Sequence, residues 1–340
     1  SGVTQPLLMT LCKDAGLADK GCQLYMLFYY MGPASVSLKM WHDHQHESLP
    51  SWKMILRAGG ITLFDITAQA MNYTGAALAG PTIFAIVYSS VTVWTAVFSR
   101  IVLKRTLLTG QWCAVFIVFG GLAITVTDNS IQIGSDVLTG LMLVIFGSAM
   151  HGLTYVLCEV VMVVGEEAMA SNSRFVQWLI GDKSEARMTV VQNCAIQGVF
   201  AMLSMLVWQL VYTWPHYDER IGEPMNKAGT TLSQAGFILG AFALANLVHS
   251  LSYFFTLRHF PGGATSAGVM KGLQAVIVFV LTDYFFCGKT GGVEMCFSGI
   301  KLTSLITVVG GVALFGVYTE KKHRLQMASR REIIMEEVTV

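Results

Sequence analysis

Charge is scarce in this chain. Only 13% of its 340 residues are Asp, Glu, Lys or Arg, about half the roughly 25% of a soluble domain. With 54% hydrophobic residues and a mean hydropathy of +0.57, that scarcity excludes an ordinary globule and points to a polytopic membrane protein. No charge sign dominates: 22 basic against 21 acidic residues leave +1, and no basic stripe with interleaved aromatics occurs. Nucleic acid is therefore not an expected partner. The chain lacks a GxSxG nucleophile elbow, an HExxH zinc helix and a GxGD aspartate setting, so it does not read as an enzyme. Its seven cysteines show no paired CxxC spacing, and no metal centre or cofactor is expected. The tail ends in neither a KDEL-type nor a dilysine signal.

Long apolar runs are what the chain has instead. Ten candidate spans stand out: 1–12, 21–41, 52–73, 79–103, 110–127, 137–164, 190–214, 232–260, 262–287 and 297–318. The first is too short to cross a bilayer and reads as the end of a longer helix. The second is expected to break at Gly32-Pro33. A polar tail, residues 319–340, follows the last span. With the tail in the cytosol, fifteen of the 22 Lys and Arg fall on the cytosolic side, six on the other and one, Lys271, in the membrane. The spacing also suggests a repeat. Val118-Phe119-Gly120-Gly121-Leu122-Ala123-Ile124 returns as Val308-Val309-Gly310-Gly311-Val312-Ala313-Leu314, an offset of 190 (308 against 118), and Gly80-Pro81 has a counterpart in Pro261-Gly262-Gly263. Two copies of an odd number of spans must be inverted relative to each other, an arrangement that places a transport site at the repeat interface. The expected fold class is thus an all-α membrane protein of ten helices in two inverted five-helix repeats, 1–127 and 137–318.

Three motifs carry a family resemblance. The block from Ile86 to Val126, with the basic hinge Lys104-Arg105 and a Gln111-Trp112 entry to a Gly-rich helix, resembles the drug/metabolite transporter superfamily. Phe64 to Gln69 with Asn72-Tyr73 looks like the third helix of its nucleotide-sugar-transporter-like solute carriers, and Gly268-Val269-Met270-Lys271 is similar to their ninth-helix motif. The resemblance implies alternating access around a central cavity and an endomembrane (Golgi or ER) or organelle-envelope location. The expected cargo is an anionic metabolite, a nucleotide sugar or a related phosphorylated or carboxylated solute.

Candidate site residues follow from polar groups held inside apolar helices. Lys271, at a cost of at least about 2.5 kcal/mol if unpartnered in the membrane, is the candidate anion ligand, with Gln274 on its face. Asp65 reads as its counter-ion or as a proton-coupling group; Gln69 and Asn72 extend the stripe at helical spacing. Ser89 and Ser90 begin the core of the fourth span. His151, Tyr155 and Glu159 repeat at i, i+4 and i+8, and Asn246, His249 and Tyr253 share a face of the eighth span. Each has a plainer alternative as a helix-packing or hydrogen-bonding group. Residues 42–47, HDHQHE, look metal-like but lack helical preorganisation and read as a solvated loop. Residues 175–180 read as an interfacial helix. Cys113, Cys158 and Cys194 lie in apolar runs as small hydrophobes, while Cys12 with Cys22, and Cys287 with Cys296, flank short loops and are candidate bridges. Expected partners are the small-molecule metabolite and membrane lipids; a homodimer or a place in a larger membrane complex is compatible with such a bundle. Two other functions stay open. A carrier of cations, amino acids or drugs would use Asp65 and Glu159. A non-transporting structural subunit would have its cavity plugged by side chains.

Overall fold

The computed structural model describes residues 3–43, 49–102, 106–126, 134–162, 177, 188–259, 264, 267, 274, 277–278, 280–285, 287–288, 296 and 298–339. Among them there is no strand, and the chain is a bundle of helices. These are α1 Thr4–Asp14, α2 Leu24–Asp43, α3 Trp52–Ala79, α4 Pro81–Tyr88, α5 Val91–Val102, α6 Thr109–Val126, α7 Ser135–Met162, α8 Val190–Trp208, α9 Glu223–Lys227, α10 Leu232–His259 and α11 Gly299–Thr339. Five stretches within the described residues are long and apolar enough to cross a membrane: Ile83–Val102, Ser135–Met162, Val190–His216, Leu232–His259 and Gly299–Leu325. Local chemistry fixes several helix starts. The Ser51 hydroxyl accepts from Met54 N–H at the start of α3, and Thr189 with Gln192 forms a capping box on α8.

Contacts between helices fix the directions of three pairs. Along α3 and α7, Gly75 lies against Gly140 and Val144 while Asn72 and Ala68 lie against Gly147, so the pair is antiparallel. The α6–α11 pair is antiparallel too, with Gly110 on Tyr318 and Gly121 on Val308. By contrast α2 and α10 run parallel: Tyr25 meets Phe242, and Tyr29 meets Asn246.

The structure departs from the sequence expectations in three places. First, α2 does not break at Gly32-Pro33 but runs through it. A proline inside a helix frees the carbonyl four residues earlier, here that of Tyr29, and the Asn246 side-chain amide donates to it at 2.8 Å. A neighbouring helix thus satisfies the bond that proline removes, as a membrane interior demands. Second, the fourth span is two helices, α4 and α5, joined by a turn at Ser89-Ser90. Third, Cys12 and Cys22 are unbridged buried thiols, and Cys113 is exposed rather than packed. The helix α11 runs on through the polar tail to Thr339. The carbonyl of Cys22 is taken by the Gln209 side chain at 2.8 Å, which ties this loop to the end of α8. Cys287 and Cys296 are disulfide-bonded. Lys271, the hinge Lys104-Arg105, residues 44–48 of the histidine loop and the expected interfacial segment apart from Gln177 lie outside the described residues.

Two apolar clusters bracket the middle of the bundle. One gathers Met54, Ala58 and Ile61 of α3 with Tyr155 to Met162 of α7 and the start of α8. The other gathers Tyr25 to Tyr30 of α2, Tyr73 to Ala79 of α3 and Val144 of α7. Asp65, Gln69, Asn72 and His151 fall between the two. Asp65 lies 13 residues into α3, about 20 Å along a 1.5 Å rise, close to the middle of that helix.

Candidate functional site

The polar residues of α3 and α7 meet at mid-bundle. The His151 ring is nearly buried, and its Nε2 lies 3.4 Å from Asp65 Oδ1. On the other side of the carboxylate, the Tyr30 hydroxyl donates to Asp65 Oδ2 at 2.9 Å. His151 Nδ1 is approached by the Tyr88 hydroxyl at 2.9 Å and by Asn72 Nδ2 at 3.1 Å. Tyr155 OH lies 3.3 Å from Tyr88 OH and extends the chain. Four helices, α2, α3, α4 and α7, therefore supply one hydrogen-bonded group around a single carboxylate and a single imidazole.

This group forms one wall of a cavity. Asp65, Gln69, Tyr30, Tyr88, His151 and Tyr155 line it from one side; Asn246, His249 and Tyr253 close it from α10, with Gln5 of α1 between. It encloses about 620 Å³ of empty space with its mouth included. A smaller lobe of about 450 Å³ shares Gln5, Gln69 and Tyr88 and adds Asn72 and Gln274. The walls are aromatic. Tyr155 and Tyr253 stand 4.6 Å apart, centroid to centroid, and the His151 ring stacks on Tyr155 at 5.9 Å. The carboxylate of Asp65 is about one quarter exposed, so it faces this space.

Not every candidate from the sequence gathers here. Asp65, Gln69, Asn72, His151, Tyr155, Asn246, His249 and Gln274 line one lobe or the other. Asn246 also serves structure: it accepts from Gln5 at 3.2 Å while donating to Tyr29 O. Glu159 is two turns beyond His151, buried, and accepts from the Ala264 N–H at 3.2 Å. Ser89 and Ser90 are buried in the turn between α4 and α5, where the Ser89 hydroxyl donates to the carbonyl of Ile86. Gln5, Tyr30 and Tyr88 did not emerge from sequence reasoning. The tyrosines carried a usable signal, since a phenol inside an apolar helix needs a partner for its hydroxyl.

Comparison with family models gives a match over part of the chain. Residues 20–127 match the EamA-like transporter family, a family of the drug/metabolite transporter superfamily. No curated protein matches the chain. A solved structure titled "Crystal structure of protein" is 15% identical over 93% of this chain and 96% of its own, with a TM-score of 0.43.

Proposed function

We propose that this chain is a secondary-active carrier that moves a small organic solute across a membrane by alternating access, with the mid-bundle cavity as its binding site. The observation that carries this is the carboxylate of Asp65, held at mid-helix and facing a tyrosine-walled space between helices. A charge at that depth is costly unless it serves a path or a partner. The match of residues 20–127 to a transporter family supports the same reading. The two inverted repeats remain part of the proposal. Their support is the reciprocal packing of the GG motifs: Gly121 on Val308 and Gly311 on Val118, each residue 190 from its counterpart (308 against 118, 311 against 121).

The cavity chemistry favours an amine-bearing or cationic solute. Among the described residues that line it there is one carboxylate and no lysine or arginine. Aromatic faces attract cations, by about 0.5–2 kcal/mol per ring depending on desolvation. A nucleotide sugar or other anionic metabolite is the second reading. It rests on Lys271 in the sequence and on Gln274, three residues later, which lines the smaller lobe. A cavity open to water-sized groups does not favour a plugged structural subunit.

A thermal-shift screen separates the readings. Purified protein, Asp65→Asn and Lys271→Ala are each tested with choline, basic amino acids, nucleotides and nucleotide sugars. Binding at a hundred times Kd stabilises by about 2.7 kcal/mol. The expected result is a shift with a cationic ligand that survives Lys271→Ala and is lost in Asp65→Asn. A shift with nucleotides that is lost in Lys271→Ala instead establishes the anionic reading. No shift with any ligand in a stable protein overturns the carrier.

A further inference from the structure

We propose that Asp65 and His151 form a proton-binding site, in which His151 takes up one proton and Asn72 turns over to accommodate it. Its use in transport rests on the carrier reading; the site itself does not.

The argument begins with the direction of the hydrogen bonds. Nε2 of His151 faces a carboxylate oxygen and so carries a hydrogen. In the neutral ring Nδ1 is then an acceptor, and two donors point at it: Tyr88 OH and Asn72 Nδ2. The hydrogen bonds read in one sense, with Tyr155 O–H donating to Tyr88 and Tyr88 O–H to Nδ1, while Nε2 stands in ion-pair contact with Asp65 Oδ1. This tautomer is assigned from its partners. One group is left over. Asn72 Oδ1 is buried and has no hydrogen-bond partner among the described residues. An unmade bond of this kind is costly in a buried place.

That leftover acceptor is what the protonated state needs. A second proton on the ring sits on Nδ1 and turns it into a donor. Rotating the Asn72 amide by half a turn brings Oδ1 to where Nδ2 now stands. The ring then donates to Asn72 through Nδ1 and to Asp65 through Nε2, and no side chain has to leave its place. The structure therefore holds an acceptor for the hydrogen added at Nδ1, and turning the amide puts Nδ2 into the buried place that Oδ1 leaves.

Charge gives the site a role. With a neutral imidazole the couple carries one negative charge at mid-bundle; with an imidazolium it carries none. A helix bundle that must rearrange around this point in a membrane does so at lower cost when the site is neutral. Proton binding can thus gate the rearrangement. Among the described residues, the other titratable groups facing the couple are phenols: Tyr29 and Tyr30 from α2, Tyr88 from α4, Tyr155 from α7 and Tyr253 from α10. Further along the cavity lie Cys158, Cys194 and His249, with Glu159 two turns away on the Ala264 N–H. Lys271 stands outside the described residues.

The test is a histidine titration of the full chain in lipid nanodiscs. The imidazole nitrogens and asparagine side-chain amides are labelled with nitrogen-15, and spectra are taken from about pH 5 to 8.5, the window in which histidine changes charge. Of eight histidines, the signal absent from His151→Gln is that of His151. The expected results are a neutral form with its hydrogen on Nε2 and an Asn72 amide signal that moves in step with the ring in the wild type. An Asn72 amide indifferent to the ring's protonation overturns the proposal, and this wild-type readout stands even where a variant fails to fold. A second assay loads proteoliposomes with choline and imposes a pH gradient at clamped potential. Coupled His151 and Asn72 titrations without choline flux support the proton site and count against the carrier reading. Choline flux indifferent to the gradient, with uncoupled titrations, sinks the proton site and leaves the carrier standing.

Discussion

The α3–α7 and α6–α11 pairs are built by one device and put to opposite uses. Both are antiparallel and close-packed through glycine. A Cβ on Gly121 would lie 2.7 Å from Val308, and one on Gly147 would lie 2.6 Å from Asn72. Such close approach is how small residues hold helices together where no hydrophobic force acts between them. The surroundings differ. Beside Gly121 and Gly311 stand Val118, Val308 and Val312, all buried and apolar. Polar bonds there sit at the seam, as where Ser304 donates to the carbonyl of Gly121. Beside Gly147 stand Asn72 and, one turn on, His151. The same approach that seals one pair thus holds a hydrogen-bonded group in place in the other. Stability and function are expected to separate along this line.

The largest stability effect is expected at the dry seam. Gly121→Leu or Gly311→Leu forces a branched side chain against a valine and its backbone, and overpacking of this sort costs about 1–3 kcal/mol or more. Each variant is expected to lower the unfolding midpoint in detergent, followed by tryptophan fluorescence, by more than Asp65→Asn does. If Asp65→Asn is the more destabilising change, the polar group is a structural staple and the contrast between the pairs fails.

How much of this was legible in the sequence depends on whether the information is local. The helices were, because apolar length and breaker residues are local: α6, α7 and α10 begin and end, and α8 begins, close to where hydropathy put them. The polar stripes were legible too: Asp65, Gln69 and Asn72 on one helix, His151 and Tyr155 on another. Their meeting was not. Asp65 and His151 are 86 residues apart (151 against 65), and only the Gly75–Gly140 and Gly147–Asn72 approaches set the register that brings them together. The GG repeat was visible as text, and the reciprocal contact gives it a physical reason. Pro33 misled for the opposite cause. Proline's local rule is to break a helix, and the compensation comes from Asn246, 213 residues away (246 against 33). Tyr30 and Tyr88 were overlooked because a tyrosine between apolar neighbours looks like filling until its hydroxyl has an address.

An intermediate effect is expected where Pro33 and Asn246 meet, at the edge of the cavity. Asn246→Leu leaves the Tyr29 carbonyl without its donor, at about 1–3 kcal/mol. Pro33→Ala restores a backbone N–H that can take the same carbonyl within α2. The double variant is expected to be more stable than Asn246→Leu alone, measured as a double-mutant cycle of unfolding midpoints. Simple additivity would mean that the Asn246 bond to Tyr29 adds nothing, and that Asn246 belongs to the cavity only.

The smallest effect is expected outside both pairs and serves as their control. At the exposed end of α2, Lys39 Nζ lies 2.7 Å from Asp43 Oδ2, with side chains 62% and 31% exposed. The hydrogen bond from Lys39, and then that from His42, hold the Asp43 carboxyl below its ordinary value. The folded chain therefore favours the ionised form. Its stabilisation is present above the carboxyl's unfolded value and is lost as pH falls through the lower folded one. Solvent screens such a pair, so its contribution is small. Asp43→Asn is expected to lower the unfolding midpoint at neutral pH by less than Asn246→Leu, and the difference from wild type is expected to close below about pH 4. A loss as large as that of a seam variant would mean that this helix end is anchored by more than one exposed ion pair. A difference that persists unchanged into acid would show that the effect of the substitution is not electrostatic at all.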